Sequence, residues 1–323
     1  MKQYYSLSKS ILEKIKQANK ILINVHRNPD LDSIGSETAL YQALIKISGK
    51  KPTLICPHQV PENLKFLKGA DQVKTVDFSS FAYSSYDLFL IIDSGSYDIV
   101  TGRKEIKLKE IKKIIIDHHL TNNWKDYSLR LLDTKASAAA EIVYRILTDW
   151  NITLDKNIST SLLSGIAGDT VFFKYPKDPN VIFSIVNELM KNGADYNLLI
   201  SKFSDDLNFD FVKLLGEFLK NMKKERKFIW SAVSCEVYEK YGRPKGVRET
   251  AADSFFRSIK NINFGVALLE EEKGKINMSF RSKQNFDVSK IAGQFGGGGH
   301  KNAAGATVYG SKEEIINKIK KIV

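Results

Sequence analysis

Lys113-Ile114-Ile115-Ile116-Asp117-His118-His119 is the stretch on which the fold turns. Its opening residues form a short, continuous, β-branched apolar run, as a buried parallel strand does. The run ends on an aspartate and two histidines. Burying such groups at the end of a core strand is costly unless they are paired or bound to a metal ion. Outward from this stretch, other strand-like runs also end on carboxylates or a histidine: Ile21 to Val25 leads into His26, and Leu88 to Ile92 into Asp93. The pattern gathers oxygen and imidazole donors at one edge of a sheet, so a metal-dependent hydrolytic site is the first expectation.

The first half of the chain alternates strand-like and helix-like segments. Strands are expected at Ile21 to Val25, Pro52 to Cys56, Val73 to Val76, Leu88 to Ile92, Lys113 to Ile116 and Leu129 to Leu132. Helices are expected at Ile34 to Ile47, Ala136 to Trp150, Asn157 to Ile166 and Pro179 to Asn192. Such alternation argues for a parallel sheet with helices on both faces, whose ligands collect beyond the carboxyl ends of the strands. Around Asn208 to Lys227 the pattern changes. Phe211, Leu214, Leu215 and Phe218 have helical spacing, and Lys220 to Lys227 is strongly basic. The remainder reads as a smaller α/β domain: a hairpin-like pair at Phe264 to Leu269 and Lys275 to Arg281, a short helix at Asp287 to Phe295 and a terminal one at Lys312 to Val323. The expected architecture is α/β throughout, with a parallel-sheet catalytic domain at 1–195, a helical linker at 196–227 and a second α/β domain at 228–323.

A chain of 323 residues has room for two domains, and its 43% hydrophobic content is ordinary for a globular protein. No apolar stretch reaches the roughly 18 residues of a membrane span. Met1 to Lys20 is amphipathic and charged, with Leu7, Ile11, Leu12 and Ile15 on one helical face, and lacks the apolar core of a signal peptide. The two cysteines, Cys56 and Cys235, make neither a disulfide framework nor a CxxC pair, which fits a reducing cytoplasm. A net charge of +12 favours polyanionic partners such as nucleotides or nucleic acid, although lysine is spread along the whole chain.

His26-Arg27-Asn28-Pro29-Asp30-Leu31-Asp32-Ser33-Ile34-Gly35-Ser36 follows a strand and precedes a helix. Pro29 restrains Asn28, Gly35 permits close backbone approach, and Ser33 or Ser36 could cap the helix. A capped turn with solvated aspartates accounts for each residue singly, but poorly for one histidine and two aspartates so close together. Asp93-Ser94-Gly95, Asp117-His118-His119 and Gly165-Ile166-Ala167-Gly168-Asp169-Thr170 complete the set. His26, Asp30, Asp32, Asp93, His118 and Asp169 together suit two octahedral ions of the Mn²⁺ or Mg²⁺ class, whereas Zn²⁺ more often takes fewer ligands with cysteine among them. Two ions roughly 3.5–4 Å apart can clamp the attacking and leaving oxygens of an in-line displacement, with a bridging carboxylate and a bridging water that attacks phosphorus as hydroxide. No P-loop and no Ser-His-Asp or Cys-His arrangement competes.

Gly296-Gly297-Gly298-Gly299-His300 stands before Ala303-Ala304-Gly305-Ala306. Consecutive glycines can present backbone N–H groups as an anion nest, with His300 adding a donor. A flexible linker is the plainer reading, but the flanks, Ile291-Ala292 and what reads as an alanine-rich helix start, argue against it. Arg281 and Ser282, at the end of a strand, are candidates for the same anion, against the alternative of a solvated strand end.

In this order and spacing, His26 to Ser36, Leu90 to Ser96, Ile114 to His119, Gly165 to Thr170 and Phe280-Arg281-Ser282 with Asp287 to Ala306 resemble the DHH phosphoesterase family, in the branch with a C-terminal DHH-associated domain. The pattern is most similar to that of nanoRNases, the bifunctional oligoribonuclease and pAp phosphatase type. The resemblance implies two Mn²⁺ sites, with Mg²⁺ and Co²⁺ sharing similar ligands. His26, Asp30 and Asp93 would hold one ion; Asp32, Asp93, His118 and Asp169 would hold the other, with Asp93 bridging. His119 would lie beside the scissile phosphate, steadying it or protonating the leaving oxygen. Asp117 is left between two roles, orienting a ligand or reaching a metal-bound water. Arg281 and His300 would grip the substrate from the C-terminal domain as a cleft closes.

The implied activity is Mn²⁺-dependent hydrolysis of very short RNA or DNA oligonucleotides, or dinucleotides such as pApA, to nucleoside monophosphates, with a pAp 3′-phosphatase activity beside it. The resemblance also suggests a homodimer. Cyclic di-AMP hydrolysis uses the same diester chemistry and stays open. Inorganic pyrophosphate hydrolysis is disfavoured by the hairpin and the glycine run, and a non-catalytic nucleic-acid binder by the complete set of ligands. There is one departure: relatives often carry Ser or Thr where Lys135-Ala136-Ser137-Ala138-Ala139-Ala140-Glu141 is alanine-rich after Ser137. That puts a substrate contact from this segment in doubt and touches no metal ligand.

Overall fold

A computed structural model of the chain describes residues 3–108, 111–205, 207–283 and 286–323. It divides into two compact units, Met1–Asp205 and Asp206–Val323.

The first unit is built on a parallel sheet of strands β1 (Ile21–Asn24), β2 (Thr53–Cys56), β3 (Lys74–Thr75), β4 (Leu88–Ile92), β5 (Lys112–Asp117) and β6 (Leu129–Leu132), in the order β3-β2-β1-β4-β5-β6. Helices α1 (Ser8–Gln17), α2 (Leu31–Ser48), α3 (Tyr97–Thr101), α4 (Ala139–Asp149), α5 (Lys156–Asp169), α6 (Pro179–Lys191) and α7 (Tyr196–Ile200) accompany it. The strands are apolar on both faces because both are covered. Ile21, Ile23, Leu90, Ile92, Ile114 and Ile116 pack with Leu40, Ile142 and Leu162 of α2, α4 and α5. The alternate residues Leu22, Phe89, Ile91 and Ile115 pack with Phe78, Val100 and Trp124. Period-two alternation thus feeds two cores from one run of apolar residues. Lys113, buried inside β5, is satisfied by the carbonyls of Leu108 and Ile111 and the Asp126 carboxylate.

β1 pairs with β2 on one side and β4 on the other, so the strand order reverses between β1 and β4. Parallel sheets leave a crevice at such a point, beyond the carboxyl ends of the strands. Two glycines bring helices against its rim. A Cβ on Gly35 of α2 would stand 2.5 Å from Ser161 O of α5, and one on Gly165 of α5 would stand 2.5 Å from the Ala140 Cβ of α4 and 2.9 Å from Asp32 Oδ1. Only glycine allows this approach.

The second unit contains α8 (Phe209–Lys220), β7 (Lys223–Lys224), β8 (Phe228–Val233), α9 (Cys235–Lys240), α10 (Val247–Thr250), a π-helical turn at Ala251–Phe255, β9 (Phe264–Glu272), β10 (Lys275–Ser282), α11 (Ser289–Gly293), β11 (Gly298–His300), β12 (Ala303–Tyr309) and α12 (Lys312–Ile322). Its sheet runs β11-β12-β10-β9-β8-β7, with β8 and β9 parallel and the other pairs antiparallel.

Two expectations change here. The alanine-rich stretch after the glycine run is strand β12, not a helix start: Ala304 and Ala306 face the core while Gly305 pairs with Ser279 of β10. The segment 196–227, read as a linker, is shared between the units. Leu199 of α7 belongs to the first core, and Leu214 and Phe218 of α8 pack on Ile229, Val233 and Leu269 of the second. The helical spacing of Phe211, Leu214, Leu215 and Phe218 made a core face, which a free linker does not need. Among the described residues no helix is long and apolar enough to cross a membrane.

Candidate metal centre

His26 leaves the end of β1, Asp93 the end of β4, and Asp117 closes β5. The buried Asn24 ties the first two together. Its Oδ1 accepts the Ile92 amide at 2.7 Å and its Nδ2 donates to Ser94 Oγ at 3.1 Å. Between these bonds Asp93 is turned out of the strand with φ +53°, a left-handed conformation that costs an aspartate free energy and is held by its surroundings. Asp30 is the N-cap of α2, its carboxylate accepting the Ser33 amide at 2.9 Å. Asp32 lies in the first turn of α2, and Asp169 is the last residue of α5.

The fold brings all six together. His26 Nε2 lies 3.6 Å from Asp30 Oδ2 and 3.5 Å from Asp93 Oδ2. His118 Nε2 lies 3.3 Å from Asp93 Oδ1, 3.2 Å from Asp169 Oδ2 and 3.8 Å from Asp32 Oδ2. Asp93 therefore turns one oxygen toward each histidine. Donor atoms drawn from His26, Asp30 and Asp93, from Asp32, His118 and Asp169, and from Asp93, His118 and His119 lie within 4.8 Å of one another in each group. Ligands about 2.1 Å from a common octahedral ion stand about 3 Å apart, so these spacings suit a metal ion.

The charges point the same way. Burial pushes the Asp32 and Asp169 carboxyls well above the ordinary carboxylate range, and repulsion from neighbouring aspartates adds to it. Asp93 is buried as well, yet His118 and His26 hold its pKa below that range. Burial opposes charge on His26 and His118, but Asp30 and Asp93 for the first, and Asp93 and Asp169 for the second, outweigh it and raise both imidazoles. Without a cation the cluster is stabilised by protons, which a metal ion would replace.

Asp117 and His119 form a distinct arrangement. Asp117 is fully buried. Its Oδ1 accepts the amides of His118 and His119 and the His119 Nδ1 at 2.7 Å, and its Oδ2 accepts Asn122 Nδ2 at 2.7 Å. Both oxygens are thus engaged, and Asp117 holds the His119 ring in place.

In the second unit, Arg281 of β10 is engaged by Asp253, whose Oδ2 accepts Nε at 2.8 Å, and its Nη1 donates to the Phe280 carbonyl. Ser282 is buried and donates to the Phe286 carbonyl at 2.6 Å. Gly298, Gly299 and His300 form the edge strand β11. A Cβ on Gly297 would strike Gly305 O, and one on Gly299 would stand 2.5 Å from Ala303 O, so both glycines are required for packing against β12.

Residues 20–166 match the DHH family, N-terminal domain, and residues 227–323 match the DHHA1 domain. The chain thus carries a DHH domain followed by a DHHA1 domain. It is similar to the probable bifunctional oligoribonuclease and PAP phosphatase NrnA of Streptococcus mutans, 25% identical with 98% of each chain covered. It is also similar to the bifunctional oligoribonuclease and PAP phosphatase NrnA of Thermus thermophilus, 27% identical over 95% of this chain and 90% of that one. The crystal structure of an exopolyphosphatase-related protein from Bacteroides fragilis superimposes with a TM-score of 0.89 at 26% identity, covering 97% of this chain and 94% of the other. As a DHH–DHHA1 protein the chain is a phosphoesterase, a hydrolase of phosphodiester bonds.

The alanine-rich segment Lys135 to Glu141, expected to touch no metal ligand, does meet one candidate, Asp32. Ala138, the N-cap of α4, has no side chain to cap the helix. Asp32 does so from α2: its Oδ2 accepts the Ala139 amide at 2.6 Å and its Oδ1 the Ala140 amide at 2.9 Å. The alanines keep room for that carboxylate. Sequence reasoning missed Asn24 and Glu37. Asn24 looked like an ordinary strand residue, and the signal was a polar residue inside an apolar run. Glu37 is fully buried beneath His26, accepting Ser33 Oγ at 2.8 Å, and burial holds its pKa well above the ordinary value. Its signal was weaker, a glutamate on what proved the inner face of α2.

Proposed function

We propose that this DHH–DHHA1 protein hydrolyses very short oligonucleotides to nucleoside monophosphates and removes the 3′-phosphate of pAp, using two divalent ions of the Mn²⁺ class. The carrying observation is Asp93, whose two oxygens face His26 and His118 from the middle of two donor groups. His26, Asp30 and Asp93 would hold one ion, and Asp32, Asp93, His118 and Asp169 the other. When bound, such ions supply Lewis-acid charge that lowers the pKa of water and stabilises negative charge growing on phosphoryl oxygens.

The chain's own residues do the rest. Asn24 and the Asp93 backbone fix the shared carboxylate. Asp32 is held between the α4 amides and the site. Asp117 takes His119 Nδ1, so proton exchange with substrate falls to Nε2, and a protonated imidazole there neutralises the scissile phosphate or protonates the leaving oxygen. Arg281, presented by Asp253, and the backbone of Gly297 to His300 are the proposed contacts for a terminal phosphate, with the buried Ser282 shaping the strand end behind them. The names of the relatives support the substrate class. Two free cysteines fit a reducing cytoplasm.

The test is the purified chain with Mn²⁺, Mg²⁺ or Co²⁺ against pAp, pApA, cyclic di-AMP, pyrophosphate and longer oligomers, compared by kcat/KM. Preference for pApA and pAp supports the reading; preference for cyclic di-AMP or pyrophosphate, or no mononucleotide product with any ion, overturns it.

A further inference from the structure

The first unit carries a second anion-binding feature apart from the Asp and His cluster. A cavity of about 400 Å³ opens beside the loops that follow β4 and β5. Lys104, Lys107, Lys125, Asn123, Ser96 and Tyr97 line it. Its one lining carboxylate among the described residues, Asp98, has both oxygens 3.0 Å from Arg27 Nη1, so its charge is met from outside and does not cancel the lysines. None of the three lysines forms an ion pair with a carboxylate among the described residues; Lys107 Nζ instead lies 4.9 Å from the Tyr97 ring centroid and 3.2 Å from the Lys104 carbonyl. Three lysines lining a hollow whose one carboxylate among the described residues is already paired favour an anion.

The cavity is joined firmly to the reaction centre. Ser96 follows Asp93 by three residues. The Asn123 amide donates to Gly95 O at 2.8 Å and Trp124 Nε1 to Ser94 O at 2.7 Å, so the loops that bring Ser96, Asn123 and Lys125 to the cavity are bonded to each other after Asp93 and after His119, while Lys104 and Lys107 come from the stretch between α3 and β5. Gly95 has no room for a Cβ, which would strike Thr121 O. Tyr97 is backed by Trp124, with ring centroids 4.5 Å apart, and adds an aromatic wall. Lysines beside an aromatic wall are how proteins track a single strand: the cations meet phosphates and the ring meets a base or sugar.

Building on the oligonucleotide reading, we propose that Lys104, Lys107 and Lys125 bind the phosphodiester of a nucleotide beyond the one being cleaved, so that this cavity sets how strongly substrates longer than a dinucleotide are held. The experiment compares the full chain with the triple variant K104Q/K107Q/K125Q and with the corresponding triple arginine variant. Turnover of pApA and of a five-nucleotide RNA is measured with Mn²⁺. Binding of the labelled five-nucleotide RNA is measured separately in chelator, where no turnover occurs.

For the glutamine variant, kcat/KM and affinity for the longer RNA should fall about tenfold or more. The slope of log affinity against log salt should become shallower by about 1 to 2. The kcat/KM for pApA should change less than about twofold, and the arginine variant should retain the wild-type length preference, because charge is what the site needs. Equal losses on both substrates, or no loss on either, overturn the proposal. If the wild-type chain cleaves neither RNA, the functional reading fails, and the binding comparison in chelator still decides the cavity by the same criterion.

Discussion

Asp117 Oδ1 and His119 Nδ1 are joined by a 2.7 Å hydrogen bond, and the same oxygen accepts the amides of His118 and His119. A carboxylate so engaged cannot move without releasing the turn that carries both histidines. It also fixes which imidazole nitrogen faces away from the protein's own acid.

The pairing sets the charge of His119. Burial lowers its pKa, but the Asp117 hydrogen bond and then Asp93 reverse this and raise it from 6.5 to about 9. In the metal-free chain the imidazole is therefore charged at neutral pH and loses its proton as pH rises through about 9. Substituting D117N should move the midpoint down toward 6.5, as read by NMR titration of the ring protons. Turnover should fall by about 10²–10⁴. A midpoint that stays where it was would show that Asp117 does not govern His119.

Metal uptake should release protons and weaken in acid. The pKa values of His26 and His118 are raised above 6.5 in the metal-free chain, and both rings must be neutral to ligate. As pH falls through those raised values, protons hold the nitrogens more tightly and the metal must displace them. Calorimetry of Mn²⁺ binding in buffers of different ionisation enthalpy should report at least one proton released near neutral pH, with affinity and activity both dropping toward pH ~6. Activity that climbs below that pH would contradict the ligand assignment.

Asp169 gives a stability test of opposite sign in the two metal states. Burial, with repulsion from Asp32, raises its folded pKa well above 3.8, so above the unfolded value its ionisation opposes folding of the metal-free chain. D169N should raise the metal-free Tm at pH 7–8, by less than a fully buried carboxylate would give, because the Asp169 side chain is 28% exposed and water screens its charge. The same variant should lose most of the Tm increase that Mn²⁺ confers on the native chain. A lower Tm without metal would show that Asp169 supports the fold.

The glycines separate close packing from free space. G165A would set a Cβ 2.5 Å from Ala140 Cβ and 2.9 Å from Asp32 Oδ1. It should destabilise the chain by about 1–3 kcal/mol and weaken metal binding, because Asp32 must shift. G216A, within α8, meets nothing within 4 Å. It should stabilise by about 0.5–1 kcal/mol through helix propensity and leave metal binding unchanged. Denaturant melts and metal titration of both variants check this.

Most of the parallel sheet was legible because its central strands are short apolar runs bounded by polar residues, and Leu88–Ile92 and Leu129–Leu132 appear with the expected bounds. The last two strands of the second sheet were not. Gly298–His300 and the Ala303-Ala304-Gly305-Ala306 half of β12 carry no β-branched residue, and they are strands because small side chains let neighbouring backbones pair closely. Local propensity gave no sign of that.

Sequence by itself determined the donor inventory and the place of His26, Asp93 and His118 just beyond strands, since residue type and apolar periodicity are local properties of the chain. Tertiary structure alone decided how the donors divide. It turned one Asp93 oxygen to each histidine, gave Asp32 the amides of Ala139 and Ala140, and committed Asp117 to His119. The Asp93 and Asp32 contacts join segments far apart in the chain, and the Asp117 bond to His119 depends on how the chain turns after β5, so no spacing rule fixes them. They follow from packing a reversed strand order against helices that meet through glycine.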